Sequence, residues 1–203
     1  MNKRYPLIII TLLSALLTPA LSTANGSEIS VFSGYRSGGD LENAETGNKA
    51  SFDETSSYGI IFGLDYGPEH VMEFLYSYQD TALSNSTTTN NPNSLNVDVE
   101  YFQIGGSQIW SDKKTDKFFG ATLGAIHLDP DVSGLSSKSR FAMSLGGGVV
   151  FKFNKNIGLR LGLRGYFSAL GNSEAFCINN QCVVAGSGFM KQFDANVGLR
   201  IRF

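Results

Sequence analysis

The sequence predicts an all-β fold: an eight-stranded antiparallel up-and-down transmembrane β-barrel over residues 25–203, behind a leader at residues 1–24. Three observations predict it. Period-2 alternation recurs in eight segments, and the links between them alternate short and long. The chain also closes on Phe193, Ala195, Val197, Leu199, Ile201 and Phe203, interleaved with Asp194, Asn196, Gly198, Arg200 and Arg202. A strand with one apolar and one polar face, ending on an aromatic, suits a bilayer better than water.

The leader is read from Lys3 and Arg4, the apolar run Leu7 to Leu17, and the small residues Ser22-Thr23-Ala24 before a cleavage point. That run is too short for a spanning helix, which needs about 20 residues. No Cys follows the cleavage point, so a lipid anchor at the mature N-terminus is not expected. Loss of Lys3 and Arg4 takes the 16 basic residues to 14 against 18 acidic ones, and a mildly acidic chain is not a nucleic-acid binder. Cys177 and Cys182 flank Ile-Asn-Asn-Gln; outside the cytosol such neighbours are expected to form a disulfide, metal ligation being the weaker alternative with no His nearby.

The first strand is expected at 28–37. The second, 57–66, sets Tyr58, Ile60, Phe62, Leu64 and Tyr66 against Ser57, Gly59, Ile61, Gly63 and Asp65. In the third, 71–79, Met72, Phe74, Tyr76 and Tyr78 face outward, with Glu73, Ser77 and Gln79 inward. The fourth, 95–110, opens with Leu95, Val97, Val99 and Tyr101 against Asp98 and Glu100, then loses phase near Phe102, where a bulge is expected. The fifth, 118–128, is ambiguous because both faces hold small or apolar residues. The sixth, 140–153, is clear: Phe141 to Phe153 at every second position, against Arg140, Ala142, Ser144 and Lys152. The seventh opposes Ile157, Leu159, Leu161, Leu163 and Phe167 to Arg160, Gly162, Arg164, Tyr166 and Ser168; the eighth is the C-terminal strand.

Short links fall at 67–69, 111–117 and 154–156, long ones at 38–53, 80–94, 129–139 and 171–187. This is the outer-membrane plan of short periplasmic turns and long external loops. Tyr58 and Tyr66 stand about 26 Å apart along the strand, or about 20 Å in depth at a tilt of about 40°, close to an apolar band about 25 Å tall. A soluble barrel also alternates. Its surface strands, however, avoid the glycine and full charges found on the polar faces here.

An eight-stranded interior is just wide enough for side chains to fill it. The inward charges are expected to be Glu28, Asp65, Glu73, Asp98, Glu100 and Asp194 against Arg140, Lys152, Arg160, Arg164, Arg200 and Arg202. Apart from Asp194, the acids lie on strands one to four and the bases on six to eight. Buried charges persist only when paired, so a cross-lumen network follows, with Glu28 near Arg200 or Arg202 and Glu73 near Arg160. A charged pore constriction uses the same residues, and limited space favours the plug.

Catalysis would need a nucleophile beside a base. His70 borders a short turn. His127 lies near the outer end of strand five with no Ser two positions away, and is expected to be an interfacial rim residue. No cofactor motif is present. Acidic loop residues, Asp40, Glu42, Glu45, Asp53 and Glu54 in the first loop and Asp129 and Asp131 in the third, match no calcium loop, although carboxylates there could help divalent cations bridge to lipopolysaccharide phosphates.

The leader, the eight-strand rhythm and terminal Phe203, with Tyr101-Phe-Gln-Ile-Gly-Gly-Ser, Gly120-Ala-Thr-Leu-Gly-Ala and Arg164-Gly-Tyr, resemble the small outer-membrane β-barrel proteins of Gram-negative bacteria, the class of the OmpA membrane domain and OmpX. The resemblance implies recognition of Phe203 by the barrel-assembly machinery and residence in the bacterial outer membrane, among its lipid and lipopolysaccharide. No periplasmic peptidoglycan-binding domain is expected beyond the barrel, so a wall-anchoring role is not carried over. The expectation is a monomeric, non-enzymatic barrel whose loops serve adhesion, envelope integrity or stress defence, with a host or surface ligand as possible partner. A narrow channel for small solutes is the alternative; a lipid A-modifying enzyme is a third reading.

Overall fold

The structure is a computed structural model and describes residues 26–39, 41–42, 49–85, 95–131, 137–170, 174–178, 181–185 and 188–203. The expected leader lies outside these residues. Twelve strands are described: β1 (Ser27–Gly38), β2 (Leu41–Glu42), β3 (Lys49–Phe52), β4 (Thr55–Gly67), β5 (His70–Asn85), β6 (Leu95–Ser111), β7 (Thr115–Pro130), β8 (Lys138–Lys152), β9 (Ile157–Leu170), β10 (Glu174–Ile178), β11 (Gln181–Ala185) and β12 (Gly188–Arg202). Eight of them form a closed antiparallel barrel in the order β1, β4, β5, β6, β7, β8, β9, β12 and back to β1. Closure leaves no unpaired edge, which strands crossing hydrocarbon require.

The closing seam aligns Glu28 with Arg202, Val31 with Leu199 and Ser33 with Val197. Beyond it the Phe203 N–H donates to the Ser27 carbonyl at 2.8 Å, so the last residue still holds the seam. Short turns join the strands at the end that carries Ser27 and Phe203. In the 153–156 turn, the Asn154 carboxamide oxygen accepts from the Asn156 and Ile157 N–H groups at 2.8 Å each, closing the turn locally. At the other end β1 leaves the wall through Gly38 and Gly39, whose φ of 88° and 103° lie in the left-handed region that glycine tolerates.

Two long loops contain strands that the sequence reading did not anticipate. β3 pairs with the outer end of β5, and β2 pairs with β3, extending the wall beyond the barrel. β10 and β11 form a separate hairpin in which Cys177 and Cys182 are directly opposed. Such a pair holds its Cα atoms about 4.5–5.5 Å apart, inside the span of a disulfide.

The outer face is apolar and uncovered: Leu163 is 69% exposed, Leu123 56%, Phe119 55% and Phe141 55%. The inner face is packed, with Ser30, Arg36, Ser57, Ser77, Ser144 and Ser168 at 0%. A buried polar inside within a greasy outside inverts a soluble protein, and a lipid solvent is its physical reason.

The phase of one strand departs from expectation, and that of another, left open by the sequence, is resolved. β6 runs in continuous register with β5 and β7 through Phe102, with no bulge. Val97, Val99 and Tyr101 are buried in the lumen; Asp98 and Glu100 therefore face outward and are not lumen charges. In β7 the ambiguity resolves with Asp116, Phe118, Thr122, Ile126 and Leu128 inside and Phe119 and Leu123 outside. The lumen is also not wholly ionic. One apolar cluster, including Val97, Val99, Ile126, Leu128 and Met190, fills its loop end, and a smaller one of Val71, Ile109, Phe118 and Val150 lies nearer the termini.

Candidate functional site

The lumen is a column of paired side chains. At the terminal end Arg202 pairs with Asp65, partly open to solvent. Above it Arg200 reaches Asp116 at 2.7 Å and Glu28 at 3.7 Å, and Lys152 reaches Asp116 at 2.7 Å. Next, Glu73 receives two guanidinium groups, Arg164 at 3.3 Å and Arg160 at 3.7 Å. Arg160 lies 3.6 Å over the Phe118 ring. Arg164 also donates to the Ser144 hydroxyl at 2.9 Å, and Gln103 accepts from Thr122 and Ser144 at 2.8 Å each. Strand alternation explains the column: Arg160, Gly162, Arg164, Tyr166 and Ser168 are successive inward positions of β9.

Toward the loop end sits a tier of which the sequence reading named only the acid, Asp194. Arg36 of β1 donates from Nε to Asp194 at 3.2 Å and from Nη2 to Ser77. Asp194 also accepts from Ser57 and, at 2.8 Å, from Asn196. The Arg36 guanidinium lies 4.5 Å from the Tyr166 ring centre and 5.2 Å from that of Tyr101, and these two rings stack at 4.3 Å. The Tyr101 hydroxyl donates to Gln192 at 2.8 Å, and Gln192 donates to Gln79 at 3.3 Å. A buried guanidinium that keeps a carboxylate, a hydroxyl and two π faces is well compensated for its lost hydration.

The expected lumen residues thus fall into three groups. Glu28, Asp65, Glu73, Lys152, Arg160, Arg164, Asp194, Arg200 and Arg202 face inward and make the contacts above. Arg140, opposite the inward Ile126, lies at the loop-end mouth and donates to the Ser139 carbonyl at 2.9 Å. Asp98 and Glu100 belong to the outer wall, where Tyr78 and Tyr76 donate to them at 2.8 and 2.7 Å. The expected sorting of acids and bases by strand is also incomplete. Arg36 puts a base on the first barrel strand, and Asp116, assigned to a turn in the sequence reading, puts an acid on β7. Both carry a signal in hindsight: Arg36 continues the Glu28, Ser30, Phe32, Gly34 alternation, and Asp116 lies two positions before Phe118.

The outer wall near the loop end holds a second arrangement. Directly opposed residues across β6, β7 and β8 are Glu100, His127 and Ser139, all facing outward. His127 Nδ1 and the Ser139 hydroxyl are 2.8 Å apart. The expectation of a rim histidine without a serine neighbour considered its own strand; the serine comes from the adjacent one. Among the described residues no group of three or more His, Cys, Asp or Glu is placed to hold a metal ion.

The family profile described as outer membrane protein beta-barrel domain matches residues 9–203. No curated protein matches the sequence. Among solved structures the fold is similar to the outer membrane protein OprG from Pseudomonas aeruginosa, with a TM-score of 0.63 and 11% identity over 89% of this chain and 96% of that one. It is also similar to Neisserial surface protein A, with a TM-score of 0.57 and 13% identity over 87% and 97%. The outer membrane protein AlkL gives 0.54 and 12% over 100% and 97%. At these identities the likeness is one of fold, while the profile spans nearly the whole sequence. The chain belongs to the outer membrane protein β-barrel domain family, the small barrels of the bacterial outer membrane.

Proposed function

We propose that this chain is a monomeric outer-membrane barrel whose lumen is a structural plug, and that its long-loop end serves adhesion, envelope integrity or stress defence. One observation carries the reading. Successive tiers of buried side chains, from Arg200–Asp116–Glu28 through Glu73–Arg164 to Arg36–Asp194 and the Tyr101–Tyr166 stack, cross the lumen and are capped by the apolar cluster at its loop end. A hydrated ion entering this column would have to break paired buried charges, each break costing about 3–5 kcal/mol. The lumen is then neither a path nor a reaction chamber, and this role needs no catalytic step. Recognition falls to the loops, among which the β10–β11 hairpin, clasped by the proposed Cys177–Cys182 disulfide, has the most defined shape.

In the bilayer the short-turn end faces the periplasm, and the barrel-assembly machinery reads the terminal strand with Phe203. Conductance of the purified protein in planar bilayers tests the plug. The expected record is a closed baseline with at most brief openings. A stable open channel would overturn the plug and favour the second reading, a narrow path for small solutes.

A further inference from the structure

The row Glu100–His127–Ser139 takes no part in the lumen and faces whatever surrounds the barrel, with Ser139 exposed and Glu100 and His127 half-buried. Its depth can be read from the wall. Glu100 and outward Trp110 are ten positions apart on β6, about 33 Å along the strand and about 25 Å in depth, which spans the apolar band. One row nearer the termini the outward residues are Phe102, Ala125 and Phe141, all apolar. One row toward the loops stand Asp98 and Asp129. The row therefore lies on the boundary between acyl chains and headgroups, the depth at which ester linkages of membrane lipids reside.

We propose that Ser139 and His127 are a nucleophile and general base that cleave carboxylic esters of membrane lipids, with Glu100 as a positioning residue. Ser139 is exposed and its hydroxyl already lies 2.8 Å from His127 Nδ1, within the reach a nucleophile–base pair needs. Glu100 is the directly opposed neighbour of His127 on its other side, and one of its carboxylate oxygens is held by the Tyr76 hydroxyl at 2.7 Å. From that register position, on the strand opposite the one that carries the nucleophile, the carboxylate is placed to orient the imidazole and to stabilise the imidazolium formed during attack.

In the first step Ser139 Oγ bonds to the ester carbonyl carbon as its proton passes to His127 Nδ1. The carbon–alkoxy bond then breaks, and the same proton goes to the departing oxygen, releasing an alcohol and leaving acyl-Ser139. Water attacks the acyl carbon with His127 again taking the proton; the fatty acid leaves and the serine hydroxyl is restored. The sum is ester plus water to alcohol plus acid.

This inference goes beyond the plugged-lumen reading and stands or falls separately, because none of its residues lines the lumen. The test is covalent capture by a fluorophosphonate probe on the folded, detergent-solubilised barrel, with peptide mapping, beside hydrolysis of p-nitrophenyl laurate. All three positions face outward, so each variant is first confirmed as folded by its heat-modifiable gel mobility. The expected result is a single adduct at Ser139, absent in Ser139→Ala and formed about 10²–10⁴-fold more slowly in His127→Ala. Glu100→Gln is expected to retain the adduct while displacing the pH profile of its formation. Absence of an adduct at Ser139 in the folded wild type, an unchanged rate in His127→Ala, or laurate hydrolysis that survives Ser139→Ala would each overturn the proposal.

Discussion

Replacing Asp194 by alanine probes the lumen where it is most completely closed. Arg36 and Asp194 both have side chains at 0% exposure and meet at 3.2 Å. Removing one partner of a buried pair costs about 3–5 kcal/mol, because the other charge stays buried without compensation. Some of that loss is recovered here. Arg36 keeps its donation to Ser77 and its place over Tyr166 and Tyr101, and a desolvated cation–π contact contributes about 2 kcal/mol. Asn196 and Ser57 meanwhile lose their acceptor. The balance sets Asp194→Ala at about 3 kcal/mol, near a hundredfold in the folding equilibrium. The measurement is reversible urea unfolding in lipid vesicles. The paired replacement Arg36→Met with Asp194→Leu removes both charges and is expected to recover most of the loss, since apolar substitutes for buried pairs are often neutral. A single-variant loss below about 1 kcal/mol, or a double variant no better than the single, refutes the compensation argument, since exposed pairs contribute only about that much.

The remaining expectations follow from the wall and the loops. Leu163→Arg, on the lipid face near mid-depth, should destabilise the barrel in vesicles by about 2–4 kcal/mol, whereas Phe153→Arg at the turn end should cost about 0–1 kcal/mol; equal losses would contradict the assigned depth. Gly148→Ala places a methyl 2.0 Å from the Leu161 carbonyl oxygen and 2.7 Å from the Phe118 ring, so a loss of about 1–3 kcal/mol is expected from unfolding titrations. Cys177 and Cys182 should resist maleimide labelling in the exported protein until a reductant is added; immediate labelling of both thiols would rule out the disulfide.

Strand β6 shows where sequence reading reaches its boundary. The rule that apolar residues point outward holds only where hydrocarbon lies outside. β6 extends past that band, and there the outward Asp98 and Glu100 meet polar surroundings while Val97 and Val99 turn into an apolar cap. The alternation is unbroken, but the polarity of its two faces exchanges at the membrane boundary. An assumed bulge near Phe102 was the price of applying one solvent to the whole strand. β7 failed differently: Gly120, Ala121, Gly124 and Ala125 are too small for either face to declare itself, and only the register with Ser107 and Ser144 decides.

The sequence by itself determined the eight barrel strands, the outward faces of most of them within the bilayer, and most of the inward charges, because a two-residue period and a greasy solvent act locally along each strand. Tertiary structure decided which charges meet. Glu73 takes both Arg164 and Arg160, Arg202 takes Asp65 rather than Glu28, and Arg36 finds Asp194 across the closing seam. It also brought Ser139 to His127. These partners lie on different strands, and their meeting depends on stagger and closure of the wall, quantities that no single strand encodes.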